Sequence, residues 1–324
     1  MGTTRRQPRK WLVWEIVTTL FVVTVVAGVL VAVERNGDSG NPGAPPAPPA
    51  TSRDRAPAST EPAPFTAPAL VVKIDNVPAA RPATGLGAAD VVYVEPVEAG
   101  LTRLVAVYTG TPPAVVGPVR SARLTDVELL AQYGRPALAY SGAAPELLPA
   151  LHAADVVDAS PARAASAFYR DRGRRAPHNL YVRPARLPGG ARGPAVSPLL
   201  FGPAPDTGTP TATYRVGYPA ATFAFTWSAA VGLWSVSLNG TPLCSTDTGR
   251  VGAATVVWQR VQVTSDRSPV AHTVGAGDAV VLRDGRQFTG TWSRPTPRSP
   301  TTFRLADRLE LPLAPGQTWV LLTA

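Results

Sequence analysis

Cysteine is nearly missing from this 324-residue chain: Cys244 stands alone, so no internal disulfide can form and CxxC metal or redox sites are excluded. Histidine is almost as scarce, with only His152, His178 and His272, which argues against a His-rich zinc site. Lysine occurs only at Lys10 and Lys73, leaving Arg as nearly the whole basic complement. Arg suits bidentate contacts with phosphate or carboxylate, although a codon-usage bias would produce the same excess. There is no phosphate loop, no GxGxxG opening a helix and no GxSxG nucleophile elbow. Asp75, Asp90, Glu95 and Glu98 match no known loop for Mg²⁺ or Ca²⁺, and the expectation is no metal and no cofactor.

Positive charge is what the chain has in surplus. The formal balance is +9; residues 1–68 hold seven basic and five acidic groups, which leaves +7 for the remainder. Such a balance is compatible with an acidic partner, whether nucleic acid, anionic lipid or an anionic wall polymer.

The N-terminus divides into three parts. Residues 1–10 form a cytoplasmic basic tail with Arg5, Arg6, Arg9 and Lys10. Trp11–Val33 is a 23-residue apolar stretch, which as a helix would extend about 34 Å, enough for a hydrocarbon core of about 30 Å. Glu15 sits one turn inside its cytoplasmic end, and Trp11 and Trp14 suit an interfacial belt. A cleaved signal peptide has a shorter apolar run and a small-residue cleavage site, to which Val31-Ala-Val-Glu34 is a poor match. No cysteine follows the apolar segment, so a lipid-modified N-terminus is excluded. The expectation is a single-pass cell-membrane protein, N-terminus cytoplasmic, folded domains extracytoplasmic. Residues 34–68 then read as a disordered Pro/Ala-rich linker that cannot bury enough apolar surface to offset its ordering entropy.

Residues 69–205 alternate strand and helix signals, which predicts an α/β or α+β N-terminal domain. Leu70–Ile74, Val91–Val97 and Arg103–Tyr108 read as strands, Glu98-Ala-Gly100 as a hairpin-like connection. Thr125–Tyr133 reads as a helix capped by Thr125, Ala137–Tyr140 as a strand, Pro145–His152 as a helix and Asp155–Val157 as a short strand. From 212 to 324 the pattern predicts a smaller, mostly-β C-terminal domain. Its strands are Thr222–Trp227, Leu233–Leu238, Thr255–Val263, Ala279–Arg283, Gln287–Trp292 and the end of Pro315–Leu322. Asp284-Gly285 is a type I′ hairpin signal, and Trp258, Trp292 and Trp319 read as core aromatics.

Four polar clusters in the first half carry whatever chemistry there is. They are Lys73-Ile-Asp-Asn76; Glu95-Pro-Val-Glu98 with Arg103; Gly117-Pro-Val-Arg-Ser-Ala-Arg123; and Phe168-Tyr-Arg-Asp171 with Arg172, Arg174, Arg175 and Ala176-Pro-His-Asn-Leu-Tyr181. Paired arginines beside a helix start make an anion site, and His178 with a carboxylate adds acid–base capacity near neutral pH. The candidate ligand-binding set is Asp75, Asn76, Glu95, Glu98, Arg103, Arg120, Ser121, Arg123, Arg170, Asp171, His178 and Asn179; the candidate catalytic residues are His178, Glu95 and Asp75. The competing reading pairs these groups internally, Arg120 with Glu95 or Arg170 with Asp75, to fix loops.

The same stretches, in the same order, resemble the YerB-type family of bacterial lipoproteins, defined by a domain of unknown function. The similar segments are Lys73–Asn76 with Ala80-Arg-Pro82, Gly85–Asp90, Glu95–Arg103, Gly117–Arg123, Phe168–Asp171 and Ala176–Tyr181; Phe288–Ser293 and Pro315–Val320 match a separate C-terminal domain. The resemblance implies a bacterial protein on the outer face of the cytoplasmic membrane with two folded domains, and no established catalytic mechanism. The family's anchoring cysteine is missing here, its place taken by residues 11–33. At Ser141-Gly-Ala-Ala-Pro145 a more Gly-rich turn would be expected.

Three functions follow as expectations. The first is a binding or regulatory module for an anionic envelope ligand, a wall polymer or a lipid-linked molecule, with an envelope protein as a further partner. The second is an enzyme acting on a phosphorylated or polyprenyl-linked cell-wall substrate, since the layout resembles, in architecture alone, that of LytR-CpsA-Psr-type transferases. The third is a structural scaffold. Nucleic acid is not an expected partner: the basic residues lack the interleaved aromatics of single-strand binders, and the compartment is wrong.

Overall fold

Runs of β-branched residues dictate the centre of the molecule. The computed structural model describes residues 65–265 and 268–324; the tail at 1–10, the apolar segment at 11–33 and most of the 34–68 linker lie outside the described residues. Among the described residues, no helix is long and apolar enough to cross a membrane. The first half contributes β1 (Leu70–Asp75), β2 (Val91–Pro96), β3 (Thr102–Tyr108), helix α1 (Leu124–Leu130), β4 (Ala137–Ala139), helix α2 (Leu148–Ala153), β5 (Val157–Asp158), β6 (Phe168–Arg170) and β7 (Leu180–Val182). The second half contributes β8 (Thr213–Tyr218), β9 (Ala221–Ser228), β10 (Leu233–Leu238), β11 (Thr255–Arg260), β12 (Gln262–Ser265), β13 (Pro269–His272), β14 (Gly275–Arg283), β15 (Arg286–Arg294), β16 (Thr302–Leu305) and β17 (Thr318–Thr323). The result is a mixed α/β fold, mostly strand.

One sheet runs through both halves, in the order β16-β15-β14-β11-β17-β2-β3-β1-β4-β5, with Thr209–Pro210 added on β15 as its eleventh strand. The last strand, β17, lies parallel to β2 on one side and to β11 on the other. The N-terminal and β-rich halves therefore share a sheet, a continuity that the reading of two successive halves did not contain.

Alternation along the strands sorts the core into two layers. Val72, Ile74, Val92, Val94, Leu104, Ala106, Trp319 and Leu321 point to one face, which the second sheet covers through Phe223, Phe225, Trp234, Val236 and Leu238. The rings of Phe223 and Phe225 lie 6.2 and 6.3 Å from Trp319. Val71, Val91, Tyr93, Val105, Val107, Val320 and Leu322 point to the other face, covered by Leu129, Leu130, Tyr133 and Leu151 from the helices.

Several sequence-level boundaries shift. The helix expected over 125–133 is α1 followed by a 3-10 turn at Ala131–Tyr133, and Pro145–Leu147 is 3-10 before α2 begins. Thr125 is not the cap: Asp126 accepts the Arg123 backbone N–H at 2.7 Å, and buried Thr125 accepts from Ala271 N at 3.0 Å. The strand expected over 255–263 breaks into β11 and β12 around Val261. Trp292 and Trp319 are buried, while half-buried Trp258 lines a cavity of about 740 Å³ and bonds Thr323 at 2.8 Å. Asp284 and Gly285, at φ 51° and 71°, close the β14–β15 hairpin.

Candidate functional site

Strand parity explains why charged residues meet here. Positions 73 and 75 of β1, 95 of β2 and 103 of β3 all fall on the helix-facing side of the sheet, at one end of these strands. The register sets Arg103 opposite both Asp75 and Glu95, so a guanidinium stands between two carboxylates across three adjacent strands. Arg103 is buried and donates from Nη1 to the Ser121 carbonyl at 3.2 Å, while its Nε has no partner. Burial first, and the Arg123 charge next, draw it below the usual arginine value.

Beneath this row lies a fully buried triad. The Lys73 ammonium touches Glu95 Oε1 and lies 2.7 Å from Asp126 Oδ1, with no exposed side-chain surface on any of the three. The second Glu95 oxygen, Oε2, is buried without a hydrogen bond. Burial raises the Glu95 carboxyl most, the Asp126 charge adds to that, and Lys73 and Arg103 oppose; it stands at about 7 against an ordinary 4.5. The folded state holds this proton more tightly than the unfolded chain does. Its stabilising contribution is therefore full below about pH 4.5 and is lost as pH rises through about 7. Glu95→Gln keeps the neutral shape. Urea-denaturation midpoints from about pH 5 to 8 should fall for the native protein and lose that decline in the variant; parallel curves would contradict the shift.

Above the triad the groups reach solvent. Asp75, almost wholly buried, uses Oδ2 for two partners: His178 Nδ1 at 2.7 Å and Arg120 Nε at 3.0 Å, with those side chains 20% and 26% exposed. The Arg120 pairing is an ion pair outside hydrogen-bond geometry, so its Nε, like that of Arg123, lacks an acceptor. Arg123 Nη2 reaches Glu98 Oε2 at 2.6 Å, and its Nη1 donates to the Ala122 carbonyl at 2.9 Å. Burial pushes the Glu98 carboxyl up, but hydrogen bonds from Arg123 and Ser268 outweigh it and hold Glu98 at about 2. A cavity of about 700 Å³ opens here, lined by Glu98, Ser121, Arg123, Glu146 and Ser268 among others.

Not every expected residue joins this group. Arg170, exposed, pairs with Asn179 Oδ1 at 2.7 Å rather than with Asp75. Asn179 Nδ2 bonds the carbonyls of Asp171 and Arg174, and Asp171 Oδ1 accepts from Gly173 N at 2.9 Å. These three hold the 171–179 loop in shape, and His178 alone carries that loop to the carboxylate cluster. Arg120 pairs with Asp75 and not with Glu95, because Glu95 is already taken by Lys73. Asn76, on the opposite strand face, donates to Thr102 Oγ1 at 2.9 Å. Lys73 and Asp126 were not among the candidates. A lone lysine inside Val-Val-Lys-Ile was the available signal for Lys73, since a buried strand tolerates a charge only with a partner; nothing comparable marked Asp126.

The comparisons with known proteins bear on this whole arrangement. Residues 57–196 match the model described as "Protein of unknown function (DUF3048) N-terminal domain", and residues 214–320 match that of its C-terminal domain. The chain belongs to the DUF3048 family. Its two family domains are the two halves that meet along β2 and β17. A DUF3048 relative, "Putative lipoprotein YerB" of Bacillus subtilis (strain 168), is 44% identical over 54 residues, which is 17% of this chain and 16% of that protein. The curated match thus spans less than a fifth of the relative's length. The crystal structure of the YerB protein from Bacillus subtilis has the same fold, with a TM-score of 0.69 at 21% identity, covering 81% of this chain and 96% of that one.

Proposed function

We propose that this DUF3048 protein is anchored in the cell membrane through residues 11–33, holds its folded part outside the cytoplasm, and binds an anionic ligand of the cell envelope at Arg103, Arg120 and Arg123. One observation carries the binding reading: three neighbouring guanidiniums each keep a buried Nε–H outside any hydrogen bond, and one of them, Arg123, lines a cavity of about 700 Å³. Buried donors are costly when unmet, and a phosphate or carboxylate supplies fork-shaped acceptors. Asp75, Glu95 and Glu98 would then orient the arginines. The relative's printed description as a lipoprotein agrees with a membrane-held protein, with an apolar N-terminal segment here in place of a lipid.

The test is calorimetric titration of the full chain, in detergent, with a pyrophosphate-bearing lipid and with a teichoic-type polymer. Arg120→Ala/Arg123→Ala is expected to weaken binding at least about tenfold, from the loss of two charge-assisted contacts. Unchanged affinity would refute the site.

A second reading rests on His178. A buried carboxylate bonded to Nδ1 orients a ring whose side chain is 20% exposed, and a ring held this way can serve as a general base through Nε2. On that reading the protein cleaves a pyrophosphate-linked lipid, and turnover by the full chain disappears in His178→Ala.

A further inference from the structure

The loop from Gly189 to Phe201 wraps the first described residues. Phe65 N donates to Ser197 Oγ at 3.4 Å, and the Phe65 ring meets Phe201 edge-on at 5.1 Å. Gly193 lies so close to Thr66 that a Cβ there would overlap the Thr66 carbonyl. Backbone hydrogen bonds between Arg135 and Arg192, and between Ala191 and Arg135, pin the loop to the neighbouring turn at 2.8 and 2.9 Å.

Three guanidiniums converge at this place on one carboxylate. Arg192 Nη2, Arg298 Nη2 and Arg135 Nε lie 2.8, 3.1 and 3.7 Å from Asp155, with side chains 63%, 75% and 51% exposed. The cluster keeps a surplus of two positive charges after that pairing. Arg192 and Arg298 also line a cleft of about 520 Å³. The same loop displays Val196 and Leu200, 63% and 45% exposed, two of the few large aliphatic side chains left in solvent among the described residues.

We infer that this face docks on a membrane surface bearing anionic phospholipid headgroups. Surplus guanidinium charge engages the phosphates, and the aliphatic pair enters the interfacial layer. A free phosphate or a soluble polyanion would use the arginines and leave Val196 and Leu200 without a role. The described chain enters the fold on this face, and the sequence leading to it carries the 23-residue apolar stretch. The inference rests on the anchored reading above and adds an orientation to it. β1 starts beside the patch at Leu70 and ends at Asp75, so the docked molecule holds its arginine site about 17 Å further along the strand, away from lipid.

The experiment uses the full chain reconstituted in vesicles carrying a lipid-borne quencher. A fluorophore is placed on Val196→Cys in a Cys244→Ser background, with the exposed Val231→Cys, in the β9–β10 turn of the second sheet, as the control. In vesicles containing phosphatidylglycerol the label at 196 is quenched and that at 231 is not. In phosphatidylcholine alone, or in Arg192→Glu/Arg298→Glu, quenching at 196 falls, by about fivefold in contact strength per basic residue removed. A chain that floats with the vesicles yet shows no quenching at 196, or quenching indifferent to lipid charge and to the arginines, overturns the docking face while leaving the anchor standing. A chain that fails to float with either vesicle overturns both.

Discussion

Lys73→Met is expected to destabilise the protein by about 3–5 kcal/mol, the usual consequence of removing one partner from a buried ion pair. Methionine fills the volume of the lysine stem but leaves Glu95 and Asp126 as neighbouring carboxylates with no cation between them. Both sit in a layer where water cannot screen them. The loss should grow with pH, because the surviving carboxylates escape part of the repulsion only by keeping a proton. A combined Lys73→Met/Glu95→Gln/Asp126→Asn variant is expected to recover most of the stability, since the Asn oxygen can still accept the Arg123 backbone N–H that starts α1. Denaturant midpoints of the three proteins at neutral pH decide the matter. A fully tolerated Lys73→Met would show that the triad contributes nothing to the fold.

Arg294→Met should cost a comparable amount, about 3–4 kcal/mol, for a different reason. Arg294 is fully buried, and among the described residues no carboxylate lies within ion-pair distance of it. Its guanidinium instead donates to the carbonyls of Glu128 and Pro297 and to Thr273 Oγ1, tying the end of α1 to β15 and the loop after it. Burial lowers its affinity for the proton, as expected for a cation held by neutral acceptors. Methionine removes the donor from all three acceptors at once. Arg294→Lys is expected to restore only part of the loss, because one ammonium cannot span three acceptors set around a planar fork. Thermal unfolding of the two variants separates lost charge from lost geometry; equal stability of Arg294→Met and the native protein would refute the account.

The two effects share a theme that bears on the candidate site. Most of its cations already have an internal partner: Lys73 with Glu95 and Asp126, Arg120 with Asp75, Arg123 with Glu98. The surplus that a ligand would use is narrower than the count of arginines suggests, and lies in individual N–H groups rather than in whole charges. Arg135, Arg192 and Arg298 differ, since one carboxylate serves three of them in solvent.

Sequence alone determined the local structure and the inventory of groups. Apolar, β-branched runs marked β1, β2 and β3, period-two alternation marked β10, and Asp284-Gly285 marked a hairpin, because these depend on interactions between residues close in the chain. Charged residues at the ends of those runs marked the site region for the same reason, and their order sufficed to place the chain in its family. Only tertiary structure decided that β17 inserts between β2 and β11, since a strand buried on both faces carries no record of its partners in its own periodicity. It likewise decided which carboxylate answers which cation. Glu95 and Asp75 are interchangeable on paper; the register that puts Lys73 beneath the first and His178 beside the second comes from contacts that reach 22 and 103 residues along the chain.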